Sequence, residues 1–120
     1  MARIGLIEDS RTDRAVFTQW LRRAGHEVLE ADNAEDGLQL VRDQVPQLVL
    51  MDVVLPGMSG FQATRAMARD AAIKHIPVII VSTREMETDK AWGLRQGAAD
   101  YIVKPPREDE LIARINELVA

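Results

Sequence analysis

Short apolar runs alternate with longer amphipathic stretches from one end of the chain to the other. The runs are continuous and rich in β-branched residues, as expected for parallel strands buried on both faces. They predict five strands, near residues 2–7, 27–31, 47–51, 77–81 and 99–103. Helical spacing of apolar residues predicts five helices, near residues 11–24, 34–44, 60–70, 85–96 and 108–119. Strands separated by single helices indicate right-handed βαβ units and a doubly wound α/β fold.

Residues typical of helix ends support these boundaries. Ser10 is placed to cap the first helix, with Asp13 three residues later as a capping-box partner, and Gly25 follows the helix. Asp32 and Asn33 precede the second helix as cap candidates. Because no repeat, low-complexity segment or linker interrupts the pattern, we expect a single domain.

Composition narrows the class of protein. The net charge of −4 provides no basic field to attract nucleic acid or an anionic membrane surface. Cysteine is absent, which excludes disulfides, thiolate catalysis and cysteine-ligated zinc. The first residues lack the apolar stretch of a signal peptide, and no apolar run approaches the roughly 20 residues of a membrane helix. We therefore expect a cytoplasmic protein with no nucleic-acid partner and no membrane insertion.

Polar residues stop four of the apolar runs at matching places. The first run ends at Glu8 and Asp9, the third at Asp52, the fourth at Ser82 and the fifth at Lys104. In an open parallel sheet, ligands bind just beyond the carboxyl ends of the strands, so these side chains should meet at one edge. Three acids, a hydroxyl and a lysine together predict a divalent-metal and phosphoryl site.

Each of these residues has a candidate role. Asp52 is the candidate nucleophile, because a carboxylate can form an acyl phosphate when nearby cations neutralise the incoming charge. Glu8 and Asp9 are candidate Mg²⁺ ligands, since adjacent acids facing a third acid repel one another unless a cation lies between them. Lys104 would pair with the acids and then with phosphoryl oxygens, to which Ser82 would donate its hydroxyl. Taken singly, each also has a plain structural explanation, as a loop cap, a solvated turn or a surface lysine.

Two alternatives stay open for Trp92 in the fourth helix. Met86, Gly93, Leu94 and Gly97 mark the predicted buried face of that helix, and Trp92 falls just off it. Its indole is therefore either partly exposed as a partner contact or packed over a neighbouring helix.

In combination, these motifs resemble the receiver domain of bacterial two-component response regulators. They are the acidic pair after the first strand, Asp52 before a Leu-Pro-Gly-Met-Ser-Gly loop, Ser82, and Tyr101 leading into Lys104-Pro105. The resemblance covers residues 1–120 and implies a flavodoxin-like receiver fold with strand order 2-1-3-4-5. It also implies that no output domain follows.

The resemblance implies a role for each site residue. Asp52 would be the phosphoacceptor, and Lys104 the lysine that assists it, with a cis bond to the following proline. Asp9 would ligate Mg²⁺ directly, with Mn²⁺ as the alternative ion, and Glu8 would reach the metal through water. The backbone carbonyl of Val54 would complete the protein's ligands. Such a domain is not an enzyme for an external substrate, because it catalyses only its own phosphorylation and dephosphorylation.

The resemblance also implies partners. A sensor histidine kinase would supply the phosphoryl group, and Ser82 and Tyr101 would then act as switch residues. A downstream protein would bind the surface of the fourth helix, fifth strand and fifth helix, near Trp92, Arg95 and Tyr101. Residues 60–65 and 87–93 resemble single-domain regulators of type IV pilus twitching motility, and the short chain resembles chemotaxis regulators. A role in motility is therefore expected.

Three rival functions differ from this one in the residues that they need. A dinucleotide-binding domain needs a glycine-rich first turn, whereas this turn is acidic and would repel a pyrophosphate. An aspartyl-nucleophile phosphatase has a second aspartate two residues after the first, and position 54 is Val. A receiver-like scaffold that binds partners without phosphorylation usually lacks the acids or the lysine, which are all present here. This scaffold is the retained alternative.

Overall fold

All five predicted strands and all five predicted helices are present in the computed structural model, which describes residues 1–120. The strands are β1 (Arg3–Ile7), β2 (Glu27–Ala31), β3 (Leu48–Met51), β4 (Val78–Ser82) and β5 (Asp100–Val103). The helices are α1 (Arg11–Arg23), α2 (Ala34–Gln44), α3 (Gly60–Ala68), α4 (Glu87–Arg95) and α5 (Glu108–Val119). No helix is both long enough and apolar enough to span a bilayer.

The strands form one parallel sheet in the order β2-β1-β3-β4-β5, which confirms the expected topology. Ile7 at the end of β1 lies beside Met51 at the end of β3, and Met51 lies beside Ile80 of β4. Further along β4, Ser82 lies beside Val103, the last residue of β5. The residues that follow β1, β3 and β5 therefore emerge at the same edge of the sheet.

Alternation along the central strands divides the core into two clusters. Leu48 and Leu50 of β3 pack in the cluster that contains residues of α1 and α5. Val49 and Met51 pack in the other cluster, which contains residues of α2 and α3. Because both faces are buried, the strands read as continuous apolar runs rather than as an apolar–polar alternation.

Helix α4 buries partly different residues from those that the sequence pattern predicts. Its buried residues are Asp89 and Gly93, whereas Met86 is 67% exposed and Leu94 is 50% exposed. The predicted buried face is therefore right at Gly93 and wrong at Met86, Leu94 and Gly97, which is also exposed. A Cβ on Gly93 would lie 2.9 Å from Ile80 Cδ1, so the absence of a side chain lets the helix approach the sheet. A glycine and an acid, rather than an apolar stripe, thus make the inner face of α4.

The helix caps follow the sequence prediction closely. The Ser10 side chain accepts a hydrogen bond from the Asp13 amide, and the Asn33 side chain accepts one from the Asp36 amide. Gly25 has φ +89°, a left-handed conformation that ends the first helical segment.

Gly60 packs against the backbone of Asp52, the phosphoacceptor candidate. The first residue of α3 packs against the peptide that joins Asp52 to Val53, and its amide donates to the Val53 carbonyl at 2.9 Å. A Cβ on Gly60 would overlap the backbone oxygen of Asp52. This close approach needs glycine, because any side chain would push α3 and the end of β3 apart.

Gly60→Ala should destabilise the fold by about 3 kcal/mol, because the new methyl group meets backbone atoms that cannot rotate away. Urea unfolding of the wild type and the variant measures the effect. Gly25→Ala is the control: its φ of +89° is unfavourable for alanine, but no atom lies within 4 Å of the new Cβ, so a loss of only about 1 kcal/mol is expected. Equal losses in the two variants would contradict the packing argument.

Candidate functional site

Three carboxylates meet at the carboxyl edge of the sheet. Glu8, Asp9 and Asp52 each offer an oxygen, and these oxygens all lie within 4.8 Å of one another. Glu8 and Asp52 are 2% and 8% exposed, whereas Asp9 is exposed at the rim. The predicted convergence of the first and third strand ends is therefore present in the structure.

Lys104 brings its ammonium group into the centre of these acids. Nζ donates to Glu8 Oε1 at 2.6 Å, to Asp13 Oδ2 at 2.7 Å and to Asp52 Oδ2 at 3.3 Å. The ring of Phe17 lies beneath it, with its centroid 5.9 Å from Nζ. The bond from Lys104 to Pro105 is cis, as the resemblance implied.

Asp13 is a member of the site that the sequence prediction missed. Its expected role was the side chain of a capping box, but the carboxylate bonds to Lys104 and only its amide takes part in the cap. Asp13 and Phe17 are four residues apart and share one face of α1, directly below Lys104. This spacing places Asp13 in line with the buried residues of α1, and it is the sequence feature that could have identified Asp13 as part of the site.

Backbone hydrogen bonds between strand ends fix the site. The Asp52 amide donates to the Ile7 carbonyl at 3.0 Å, which holds the end of β3 against β1. Asp52 Oδ1 accepts from the Val53 amide at 2.7 Å, so the carboxylate is oriented by its own loop. The Lys104 amide donates to the Ser82 carbonyl at 2.8 Å, which ties β5 to β4.

Burial and neighbouring charges shift the pKa values of Glu8 and Lys104. Burial, with a further contribution from Asp52, raises the pKa of Glu8 from 4.5 to about 7, although the hydrogen bond from Lys104 opposes the shift. Burial alone would lower the pKa of Lys104, but its hydrogen bonds to Asp13 and Glu8 raise that pKa above its ordinary value. The lysine therefore stays charged while Glu8 holds its proton to near neutral pH.

Ser82 and Tyr101 contact the same loop beyond β4. The fully buried Ser82 hydroxyl accepts a hydrogen bond from the Arg84 amide at 3.2 Å. The Tyr101 hydroxyl donates to the Arg84 carbonyl at 2.6 Å, and burial raises the pKa of that hydroxyl. The Arg84 guanidinium in turn bonds to Asp89 of α4 at 2.9 Å. Residue 84 thus connects the end of β4 to both β5 and α4.

Trp92 is 45% exposed, which settles its two alternatives in favour of partial exposure. Together with Arg95 it lines a cavity that also includes Arg65 and Arg69 of α3 and its neighbouring turn. Both residues therefore reach the side of α4 that faces α3. Their assignment to a partner surface stays a prediction.

The charge at this edge suits a small, hard cation. Three carboxylates, those of Glu8, Asp13 and Asp52, bond to the single ammonium group of Lys104, and Asp9 adds a fourth acid near Glu8 and Asp52, so acids outnumber cations at this edge. Mg²⁺ prefers oxygen ligands and usually combines a few carboxylates with water or phosphate oxygens, for which the exposed rim at Asp9 leaves access. Glu8, Asp9 and Asp52 could therefore hold a divalent metal.

Comparisons with known proteins agree with this geometry. Residues 4–116 match the family described as the response regulator receiver domain. Protein PilH of Pseudomonas aeruginosa is 51% identical over 120 residues, which cover all of this chain and 99% of PilH.

Solved structures share the fold. A CheY-like response regulator receiver domain protein from Methanospirillum hungatei superposes with a TM-score of 0.91 at 26% identity, over 99% of this chain and 94% of that one. The receiver domain of a sensor histidine kinase from Pseudomonas aeruginosa, with magnesium coordinated in its active-site cleft, gives 0.91 at 25% identity, over 98% and 97%.

The raised pKa of Glu8 predicts how stability depends on pH without metal. Between pH 4.5 and about 7 the folded protein holds a proton on Glu8 that the unfolded chain releases, so Glu8 makes stability fall as pH rises through this window. In EDTA, Glu8→Gln should therefore gain stability relative to the wild type between pH 5 and 8, by on the order of 2 kcal/mol.

Urea midpoints at several pH values measure this difference. Glu117→Gln, an exposed acid on α5, is the matched control and should leave the pH profile unchanged. A Glu8→Gln profile parallel to that of the wild type would contradict the prediction.

Proposed function

The chain belongs to the response regulator receiver family, and we propose that its Asp52 accepts a phosphoryl group from a sensor histidine kinase. The observation that carries the proposal is the position of the Asp52 carboxylate, which lies against Lys104 and within 4.8 Å of the oxygens of Glu8 and Asp9. The domain of residues 1–120 would act in the cytoplasm as a signalling phosphoacceptor, with no reaction on an external substrate.

Glu8, Asp9 and Asp52, with the backbone carbonyl of Val54, would hold Mg²⁺, or Mn²⁺ as the alternative. When bound, the metal supplies positive charge that offsets the charge of the incoming phosphoryl oxygens. The magnesium ion in the related receiver domain of a sensor kinase supports this assignment, as does the excess of carboxylate at the edge.

The chain's own residues would perform the transfer. A lone pair of the Asp52 carboxylate attacks phosphorus in line, and the new O–P bond forms as the P–N bond to the donor imidazole breaks. The imidazole leaves with the electron pair and takes up a proton from water. Lys104, already 3.3 Å from Asp52, would then pair with a phosphoryl oxygen, and Ser82 would donate its hydroxyl to another. Rate would come from positioning and charge neutralisation.

The output would follow from the contacts of the loop beyond β4. A new hydrogen bond from Ser82 to the phosphoryl group would compete with its present bond to the Arg84 amide. Tyr101 bonds to the carbonyl of the same residue, so its position would change with the loop. That change would bias the predicted partner surface of α4, β5 and α5 near Tyr101, whereas Trp92 and Arg95, also predicted for that surface, lie on the side of α4 that faces α3. The 51% identity to PilH supports a role in pilus-dependent motility.

Incubation with acetyl phosphate and Mg²⁺ should add one phosphoryl group to the wild type, measured as intact mass. Asp52→Asn should abolish the addition, because an amide is not a nucleophile toward phosphorus. Asp43→Asn, an aspartate on the exposed surface of α2, is the matched control and should retain it. EDTA should also prevent the addition.

Addition to Asp52→Asn, or to another residue on peptide mapping, would contradict the assignment. If neither acetyl phosphate nor a phosphorylated kinase domain modifies the wild type, the alternative of a receiver-like scaffold that acts without phosphorylation is favoured.

Val54 should make the acyl phosphate long-lived. Its side chain, two residues after Asp52, is 59% exposed beside the site and offers water no hydrogen bond. Val54→Asn places an amide there that can orient an attacking water, so the lifetime should shorten several-fold. The decay of the phosphorylated mass with time measures it, and Val54→Ala, which is also apolar, should decay at the wild-type rate. An unchanged lifetime in Val54→Asn would count against a role for this position.

A further inference from the structure

Two cavities lie between α3 and α4, and one of them adjoins the loop that follows Asp52. One section, of about 610 Å³, lies beside the loop after Asp52, and a second section, of about 390 Å³, lies at the last turns of the two helices. Trp92 lines both sections. We call the two cavities together the α3–α4 groove.

The two sections of the groove differ in chemistry. The section near Asp52 is mainly apolar, with Val54, Phe61 and Trp92 among its lining residues. Its two charged residues, Arg84 and Asp89, neutralise each other in a salt bridge. This section therefore offers an apolar surface without net charge, beside an indole that is 45% exposed.

The section at the helix ends is cationic. Arg65, Arg69 and Arg95 line it together with Trp92, and no acidic residue does. None of the three guanidinium groups is in a salt bridge, although the neighbouring Arg42 pairs with Asp70. Three unpaired arginines in one place are unexpected in a chain of net charge −4.

Stabilisation of the helix ends does not account for this arrangement. A basic residue in the last turn interacts favourably with the helix dipole, which explains why each arginine is tolerated. It does not explain why arginines from two helices converge on one cavity, or why a tryptophan is left exposed between them. Exposed aromatic residues beside arginines are typical of the centres of protein interfaces.

We propose that the α3–α4 groove binds an acidic peptide segment of a partner protein, with an apolar side chain of that segment seated beside Trp92. Charge complementarity argues for this occupant, because carboxylates would pair with the three arginines while the apolar section takes the anchor. A small anion would leave the apolar section unused, whereas a peptide can occupy both sections. The surface goes beyond the phosphoacceptor function and does not require phosphorylation.

Selection from a random dodecapeptide display library tests the proposal. Selected on immobilised protein, the enriched sequences should combine several Asp or Glu residues with one aromatic or aliphatic residue. A synthetic peptide of the consensus should bind in solution and weaken as salt is added. Its amide chemical-shift changes should fall on α3 and α4, and Asp52→Asn should bind it equally well, which separates this result from the phosphoacceptor function.

Two double variants with the same change in net charge distinguish binding at the groove from attraction by net charge. Arg65→Glu with Arg69→Glu should weaken binding of the synthetic peptide roughly tenfold or more. Arg11→Glu with Arg22→Glu, two exposed arginines of α1, changes the net charge equally and should leave affinity within about twofold. Trp92→Ala should also weaken binding, and urea midpoints verify that each variant is folded.

Several results would overturn the proposal. They are the absence of any enriched sequence, a neutral or basic consensus, chemical-shift changes outside α3 and α4, and equal loss of affinity in the two double variants. The last result would mean that net charge, rather than the groove, attracts the peptide.

Discussion

The charge balance around Lys104 is the interaction on which the rest of the site depends. One ammonium group is shared by the carboxylates of Glu8, Asp13 and Asp52, and Asp9 adds a fourth carboxylate at the rim. Too little water reaches this place to screen the excess negative charge, so repulsion among the acids is costly. Burial, with a smaller contribution from the neighbouring Asp52, raises the pKa of Glu8 despite the hydrogen bond from Lys104. Such a site gains stability from any further cation, which a purely structural salt bridge would not need.

Most of the site could be predicted from the sequence because a parallel sheet converts position along the chain into position in space. Residues that stop consecutive apolar runs must emerge at one edge, and Glu8, Asp52 and Lys104 do so. Asp13 could not be assigned in this way. Its place in the first turn of α1 had a sufficient local explanation as a capping residue, and its contact with Lys104 depends on how α1 packs against β5.

Only Gly93 of the predicted buried face of α4 is in fact buried. Helical periodicity assumes that apolar residues face the core, but here Asp89 and Gly93 do, and Leu94 points to solvent. Gly93 lets α4 pack closely, because the ring of Tyr101 lies only 3.0 Å from where a Cβ at this position would be. Only the folded arrangement reveals that a missing side chain and an ion pair can replace an apolar stripe.

This mode of attachment makes α4 easier to displace than a helix that buries an apolar stripe. An apolar stripe resists movement in proportion to the area it buries, whereas α4 is held mainly by the Arg84–Asp89 salt bridge and by close contact with Tyr101. Arg84 belongs to the loop that also contacts Ser82 and pairs with Asp89, so it connects the end of β4 to α4. One wall of the α3–α4 groove is α4 itself. If a phosphoryl group and a bound peptide each favour one position of this helix, each must change the affinity for the other by the same factor.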